Sequence, residues 1–149
     1  MLVLIAAFSL LGAGATSEPS NTLAGEQIAE EVVVMDILRK AQPRIAAHWT
    51  SCIEWPLEGF SYERTARVDR ALVAYFEELK PGMARNDILS AMQRLFARLD
   101  EINHEVEDRI LETDERELLV PIIRDGAAAA GLNLDEFPDG DPTLEYRNF

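Results

Sequence analysis

The clearest pattern in the chain lies in residues 88–110, ILSAMQRLFARLDEINHEVEDRI. Apolar side chains recur there every three or four residues, at Ile88, Met92, Leu95, Leu99, Ile102, Val106 and Ile110. This spacing places them on one face of an α-helix, which then packs lengthwise on its neighbours. Because the pattern covers fewer than four heptads, it predicts a helix of a bundle rather than a free coiled coil.

Two helices are predicted before this stretch. The first is expected to begin after Ser20-Asn21, whose side chains can cap free amide groups. Pro43 is expected to kink or end it, because proline lacks the amide donor of a helix interior. Residues 51–59 are predicted to form a loop, since they hold a Trp-Pro pair and a glycine. Ser61 then caps the second helix.

A further helix and a tail are predicted after residue 110. Thr113 or Asp114 is expected to cap this helix, with Asp114 and Glu117 forming a capping box. Gly131 is expected to end it in the left-handed conformation, and turn formers fill residues 133–149. No stretch alternates apolar and polar residues over strand length. We therefore predict an all-α fold, a single compact bundle of about four main helices with a short irregular C-terminal tail.

The first fifteen residues are typical of an export signal. Residues 2–11 are apolar but too short to cross a bilayer as a helix, which takes about 20 residues. Ala13-Gly14-Ala15 supplies the small side chains that a signal peptidase accepts. We expect residues 1–15 to be a candidate signal peptide, residues 16–149 to form one helical domain, and the protein to be exported or periplasmic. No Lys or Arg precedes the apolar run, so the alternatives are an uncleaved anchor or a miscalled start in a cytoplasmic protein.

The chain is strongly acidic, with a net charge of −13 from 27 acidic and 14 basic residues. Residues 100–117, the acidic segment, hold nine acids against two arginines. Such a balance repels phosphate backbones and anionic lipid head groups, so we expect neither nucleic-acid binding nor a peripheral membrane role. No other stretch is long and apolar enough to span a membrane, so we expect no stable membrane span after cleavage. A basic protein partner is expected instead, and solubility alone is the simpler alternative. The candidate interaction face consists of Asp100, Glu101, Glu105, Glu107, Asp108 and Glu112.

The leading functional hypothesis is a non-catalytic protein-interaction domain that presents this acidic face. An immunity or inhibitor protein for a basic toxin is one instance of that class, because opposite charges raise the association rate. A structural component of an envelope assembly is a second possibility. The sequence holds neither a Gly-rich phosphate loop nor a Gly-x-Ser-x-Gly elbow, so no catalytic residue, cofactor or enzyme activity is predicted.

One spacing suits a metal ion but lacks its partners. Glu101 and His104 stand three residues apart on a predicted helix, as in carboxylate-bridged di-metal centres, which need a second such pair. The only other histidine, His48, has no matching glutamate. His48 and Cys52 can share one helical turn, but the sequence identifies no third group that would orient them. We predict no metal ligand, with a metal-dependent or enzymatic protein using His48, Glu101 and His104 as the alternative.

Four runs in the second half of the chain form a recognisable set. They are LDEIN at 99–103, LETDERE at 111–117, AAAAGL at 127–132 and DPTLEYRNF at 141–149. Together they resemble a group of small acidic helical bacterial proteins of unknown function that end in Thr-x-Glu-aromatic-Arg-Asp/Asn-aromatic. The resemblance covers roughly residues 68–149, and it implies a helical fold and no established activity.

The C-terminal residues are expected to close back on the bundle. Tyr146 and Phe149 are aromatic, so their burial against the bundle is expected to stabilise the tail. Arg147, between them, can pair its guanidinium with a carboxylate of the acidic segment. The alternative is that the tail is a recognition peptide. The candidate structural clasp consists of Thr113, Asp114, Arg116, Tyr146, Arg147 and Phe149.

Overall fold

The structure, a computed structural model, describes residues 22–55 and 57–148, with the side chains of the first helix described from Val33 onward. The candidate signal peptide, residues 1–15, and Phe149 lie outside the described residues. The described chain forms no strand. Its four helices are α1 (Thr22–Glu54), α2 (Tyr62–Glu78), α3 (Arg85–His104) and α4 (Thr113–Ala130). Two short 3-10 helices, Leu134–Glu136 and Pro138–Gly140, lie in the tail, so the predicted all-α bundle with an irregular end is confirmed.

The helices enclose one core in a ring of contacts. α1 packs against α2 and α4, and α3 packs against the same two helices. Short connections join consecutive helices, as is usual in bundles. None of the described helices combines the length and the apolarity needed to cross a bilayer. Each large buried side chain contributes about 1.5–3 kcal/mol, and the largest buried ones include Leu38, Ile45, Leu72, Phe76, Phe96 and Leu99.

Local sequence signals account for two helix ends. The Oγ of Ser61 accepts a backbone N–H from the first turn of α2 at 3.3 Å, which confirms the predicted cap. Gly131 ends α4 with φ of 114°, a left-handed conformation that glycine adopts without steric cost. The N–H of Leu132 then donates to the carbonyl of Ala127 at 3.0 Å, as in a Schellman motif.

Pro43 does not end α1, which continues to Glu54 and shortens the expected loop at residues 51–59. Leu38 and Ile45, on either side of the proline, are buried in the core. Their burial contributes about 1.5–3 kcal/mol each, which offsets the roughly 3 kcal/mol that a proline costs inside a helix. Tertiary packing therefore overrides the local signal here.

The apolar pattern of residues 88–110 extends beyond the end of the helix that it predicts. α3 ends at His104, and Ile110 is buried beyond that end. The buried amide of Asn103 explains the difference, because its Oδ1 accepts the backbone N–H of Ile110 at 3.1 Å and that of Leu111 at 2.9 Å. The side chain thus holds the connecting loop against the core in place of another helical turn.

Candidate metal centre

Three side chains of metal-ligating type converge between α1 and α4. His48 and Cys52 are four residues apart and so share one face of α1, and Glu115 is the third residue of α4. The Nε2 of His48 lies 2.6 Å from Oε1 of Glu115 and 3.5 Å from Sγ of Cys52. All three ligand atoms lie within 4.8 Å of one another. Among the described side chains, these form the one group of three or more His, Cys or acidic residues with such geometry.

The start of α4 fixes the position of the carboxylate. Glu112 is the N-cap, and it forms a capping box with Glu115, whose Oε2 accepts the backbone N–H of Glu112 at 3.1 Å. The cap therefore precedes the expected Thr113, and the box replaces the one expected between Asp114 and Glu117. Backbone N–H groups at a helix start favour a carboxylate. This leaves Oε1 of Glu115 for the contact with the histidine.

The cluster is buried on its thiol and carboxylate sides and partly open beside the histidine. Cys52 is 5% exposed and Glu115 is 4% exposed. The side chain of His48 keeps 24% of its surface. A buried carboxylate is costly unless it is hydrogen-bonded, and Glu115 satisfies that need with the histidine and a backbone amide. The imidazole is therefore the side of the cluster that meets solvent.

The electrostatics do not suit a nucleophilic cysteine. Burial, and then the negative charges of Glu115 and Asp114, raise the pKa of the Cys52 thiol, whereas reactive cysteines need a lowered pKa. The thiol and the carboxylate also approach the same ring nitrogen of His48, while a triad uses both nitrogens. A divalent cation would neutralise the carboxylate charge and favour the thiolate. The arrangement therefore favours metal binding over nucleophilic catalysis.

The donor set fits a transition metal such as zinc. Zinc binds sulfur at about 2.3 Å, imidazole nitrogen at about 2.0–2.1 Å and carboxylate oxygen at about 2.0–2.2 Å. Tetrahedral angles then separate sulfur and nitrogen by about 3.6 Å, close to the 3.5 Å between Cys52 and His48. The 2.6 Å contact between His48 and Glu115 would open by about 0.8 Å, which a side-chain rotation supplies. Calcium and magnesium fit poorly because they prefer oxygen ligands throughout.

An aromatic cluster lies directly behind the imidazole. The ring centroids of His48 and Trp49 are 5.3 Å apart, and those of Trp49 and Phe60 are 6.1 Å apart. The Nε1 of the buried Trp49 donates to Oδ1 of Asp69 at 2.9 Å, which fixes the indole. The fluorescence of Trp49 can therefore report on the state of the adjacent histidine.

The structure does not bring together His48, Glu101 and His104, the residues of the alternative metal hypothesis. His48 belongs to the centre, but Glu101 and His104 are exposed on α3, and Nδ1 of His104 lies 3.4 Å from Oδ1 of Asp108. Glu115, which the sequence placed among the acids of the acidic segment, supplies the third group beside His48 and Cys52. Only the contact between α1 and α4 shows this role, since the histidine and the glutamate are 67 residues apart.

The candidate interaction face is divided among α3, the following loop and the cap of α4. Oδ2 of Asp100 accepts from Asn148 at 2.7 Å, and Glu105 accepts two hydrogen bonds from Arg67, at 2.5 and 2.8 Å. In the loop, Oε2 of Glu107 accepts from Arg109 at 3.3 Å, and Asp108 lies beside His104. Glu112 is occupied as the N-cap of α4. The remaining members, Glu101, Glu107 and Asp108, are exposed.

The tail closes on the bundle by a different contact from the expected one. The Nη2 of Arg147 donates to Oδ2 of Asp141 at 2.8 Å, so the guanidinium binds a tail acid rather than the acidic segment. Tyr146 is partly buried against the core. The other described members of the clasp lie in the first turn of α4: Thr113, the exposed Asp114, and Arg116, whose Nη2 donates to Oγ1 of Thr113 at 3.2 Å.

Comparison with known proteins assigns no family to the chain. No family model matches it, and neither a curated protein nor a solved structure matches it significantly. The resemblance to small acidic bacterial proteins stays a prediction.

Proposed function

We propose that this protein binds a divalent transition metal ion of the zinc class through His48, Cys52 and Glu115. The observation that carries the proposal is the convergence of three different ligand atoms, from two helices, within 4.8 Å. An ion pair that merely joins the helices would need only the histidine and the carboxylate. The thiol, 3.5 Å from the imidazole, adds a third ligand that such a pair does not use.

A bound ion would cross-link α1 and α4. Three protein ligands leave a fourth tetrahedral position for water or for a ligand from outside. The partial exposure of His48 gives that position access to solvent. Binding also displaces the thiol proton, because cysteine ligates as the thiolate.

The test is a titration of the metal-free protein with Co²⁺ and Zn²⁺. Ligation by the thiolate gives Co²⁺ a sulfur-to-metal charge-transfer band, and the fluorescence of Trp49 changes as its neighbour His48 is engaged. The titration is made in a Trp55→Phe background, because Trp55 is 79% exposed and would add an unrelated signal. We expect one ion per chain.

Matched variants assign the ligands. Cys52→Ser removes the charge-transfer band. Glu115→Gln or His48→Gln weakens binding by about tenfold or more, because each removes a proposed ligand and even the loss of an outer-shell partner typically costs about ten- to a hundredfold. Glu101→Gln and His104→Asn are the controls, because both residues are exposed on α3. Circular dichroism confirms the fold of each variant. Equal binding by Cys52→Ser and the wild type would assign the ion to surface acids and refute the proposal.

We propose binding of a basic protein by the acidic segment as a second function. The observation in its favour is the tip of the loop after α3, where Glu107 and Asp108 have φ of 54° and 63°. Non-glycine residues in this region cost about 1 kcal/mol each or more, and such strain clusters at binding sites. Their side chains are 84% and 62% exposed.

The partner-binding proposal is tested by affinity capture from the native host at low and then high salt. A basic protein that salt releases from the wild type should not bind a Glu107→Gln/Asp108→Asn variant. Cys52→Ser is the control, because it alters the metal centre and leaves the loop unchanged. Equal capture by the loop variant and the wild type would exclude this surface.

A further inference from the structure

Four charged side chains form a stripe along α3 and its C-cap, Glu105, and we call it the charged stripe. Arg94, Arg98, Glu101 and Glu105 are separated by four, three and four residues, which places them on one side of a helix. All four are exposed. Their order is two cations followed by two anions. Such an order is complementary to its own reverse, so two copies of the stripe match when they run antiparallel.

The charged stripe borders an open groove between α2 and α3. The groove has a volume of about 730 Å³ and an apolar floor that includes Ala71, Leu95 and Ile102. Exposed small side chains, Ala74 and Ala97, line it as well. Small residues let the backbone of another helix come close, and the flanking charges then decide which helix fits. The groove is thus shaped for a helix whose charges complement the stripe.

The inner charges of the stripe are the ones free to bind a second chain. Arg98 forms no hydrogen bond or ion pair with any described residue, and Glu101 acts on Arg67 only through electrostatic attraction. The outer charges already form pairs between α2 and α3. The Nη2 of Arg94 donates to Oε2 of Glu78 at 2.6 Å, and Glu105 receives two bonds from Arg67.

We propose that the charged stripe is the interface of a two-fold symmetric homodimer in which the α3 helices pack antiparallel. With the axis midway between Arg98 and Glu101, each Arg98 faces Glu101 of the second copy. Arg94 likewise faces Glu105 of the second copy. A two-fold axis repeats every contact, so the free inner charges supply two Arg98–Glu101 contacts. The outer charges lie opposite each other as well, but each keeps its pair within its own copy. A parallel arrangement would place like charges opposite each other.

The net charge sets the conditions of the test. Each chain carries −13, so two copies repel each other at long range. At about 0.15 M salt the screening length is about 8 Å, which weakens that repulsion and preserves pairs in direct contact. The association state of the full chain is therefore measured by sedimentation equilibrium at this salt concentration, between roughly 1 and 100 µM.

Charge exchange within one chain provides the decisive variants. Arg98→Glu and Glu101→Arg alone should each raise the dimer Kd about tenfold or more, because symmetry places each change in two contacts. The double variant Arg98→Glu/Glu101→Arg should recover the wild-type Kd, since the exchanged charges again oppose each other. Controls at exposed positions outside the stripe are Arg44→Glu and Glu117→Arg.

The single variants also exclude an effect of net charge alone. Arg98→Glu makes the chain more acidic and Glu101→Arg makes it less acidic, so net repulsion would move their Kd values in opposite directions. A wild-type chain that stays monomeric throughout would overturn the proposal. So would a dimer that tolerates both single variants, or one that the double variant fails to restore. Circular dichroism of each variant confirms that its helices are intact.

Discussion

Replacing Asn103 by leucine should be among the most destabilising changes outside the apolar core. The Oδ1 of Asn103 accepts two backbone N–H groups, those of Ile110 and Leu111. These residues are 0% and 1% exposed, so water cannot take over either bond. A buried N–H without a partner costs about 1–3 kcal/mol. Leucine has the branched shape of asparagine and the same number of side-chain heavy atoms, so the change removes the acceptor without opening a cavity.

The expected loss is the sum over two amides, roughly 2–6 kcal/mol of the free energy of unfolding. Such a loss is a large part of the 5–15 kcal/mol, roughly, that stabilises an ordinary domain. It corresponds to a melting temperature lower by about 4 °C or more in a chain of this size. Urea unfolding followed by far-UV circular dichroism measures it directly.

Asn103→Asp is the matched control, because a carboxylate of the same size keeps two acceptor oxygens for the two amides. We expect it to retain most of the stability that the leucine variant loses. If Asn103→Leu unfolds within about 0.5 kcal/mol of the wild type, the range of neutral surface changes, the loop is held by other contacts and the reasoning is wrong.

Three further predictions concern the metal centre, the core and the tail. Zinc affinity should rise with pH, because binding displaces the proton of the Cys52 thiol, whose pKa is raised by burial and then by Glu115 and Asp114. Calorimetry should show roughly a tenfold gain in affinity per pH unit, and Cys52→Ser should remove this dependence. Gly126→Ala should destabilise the protein, since the new Cβ would lie 2.6 Å from Cε1 of the buried Phe76. Overpacking costs about 1–3 kcal/mol, whereas alanine gains about 1 kcal/mol over glycine in a helix. Urea unfolding measures the loss, and adding Phe76→Leu should relieve the overpacking. Arg147→Ala should lower the free energy of unfolding by about 1.5–3 kcal/mol, because it breaks the part-buried hydrogen bond to Asp141. Deleting residues 146–149 should lower the melting temperature by several degrees. An unchanged melting curve would instead indicate that the tail is a recognition peptide.

The sequence predicts those parts of the fold that depend on neighbours along the chain. Ser61 caps α2 and Gly131 ends α4 because each signal acts within a few residues of its own position. The apolar stripe predicts α3 but overestimates its length. Periodicity reports which side chains are buried, and Ile110 is buried by the loop rather than by a further helical turn. The buried apolar positions therefore lie on a helix only up to His104.

The candidate metal centre depends on contacts between distant parts of the chain. The spacing of His48 and Cys52 on one helical turn is visible in the sequence, but their third partner is not. Glu115 is one of nine acids in the acidic segment, and nothing in its immediate sequence distinguishes it from its neighbours. Its burial and its contact with His48 arise only when α4 packs against α1.

The structure also shows that the acids of the acidic segment do not form one continuous surface. Acids that sequence composition treats as one surface have separate surroundings: Glu115 lies in the candidate metal centre, Glu112 at a helix cap, and Glu105 in an ion pair with Arg67. Glu107 and Asp108 stay exposed on a strained loop. Because Glu115 lies on α4, Glu105 at the end of α3, and Glu107 and Asp108 in the loop between them, substitutions can remove one role and leave the others. Cys52→Ser therefore tests the metal centre, Arg98→Glu/Glu101→Arg tests the dimer, and Glu107→Gln/Asp108→Asn tests the partner surface. A change that disturbed all three at once would show instead that the bundle itself had been damaged.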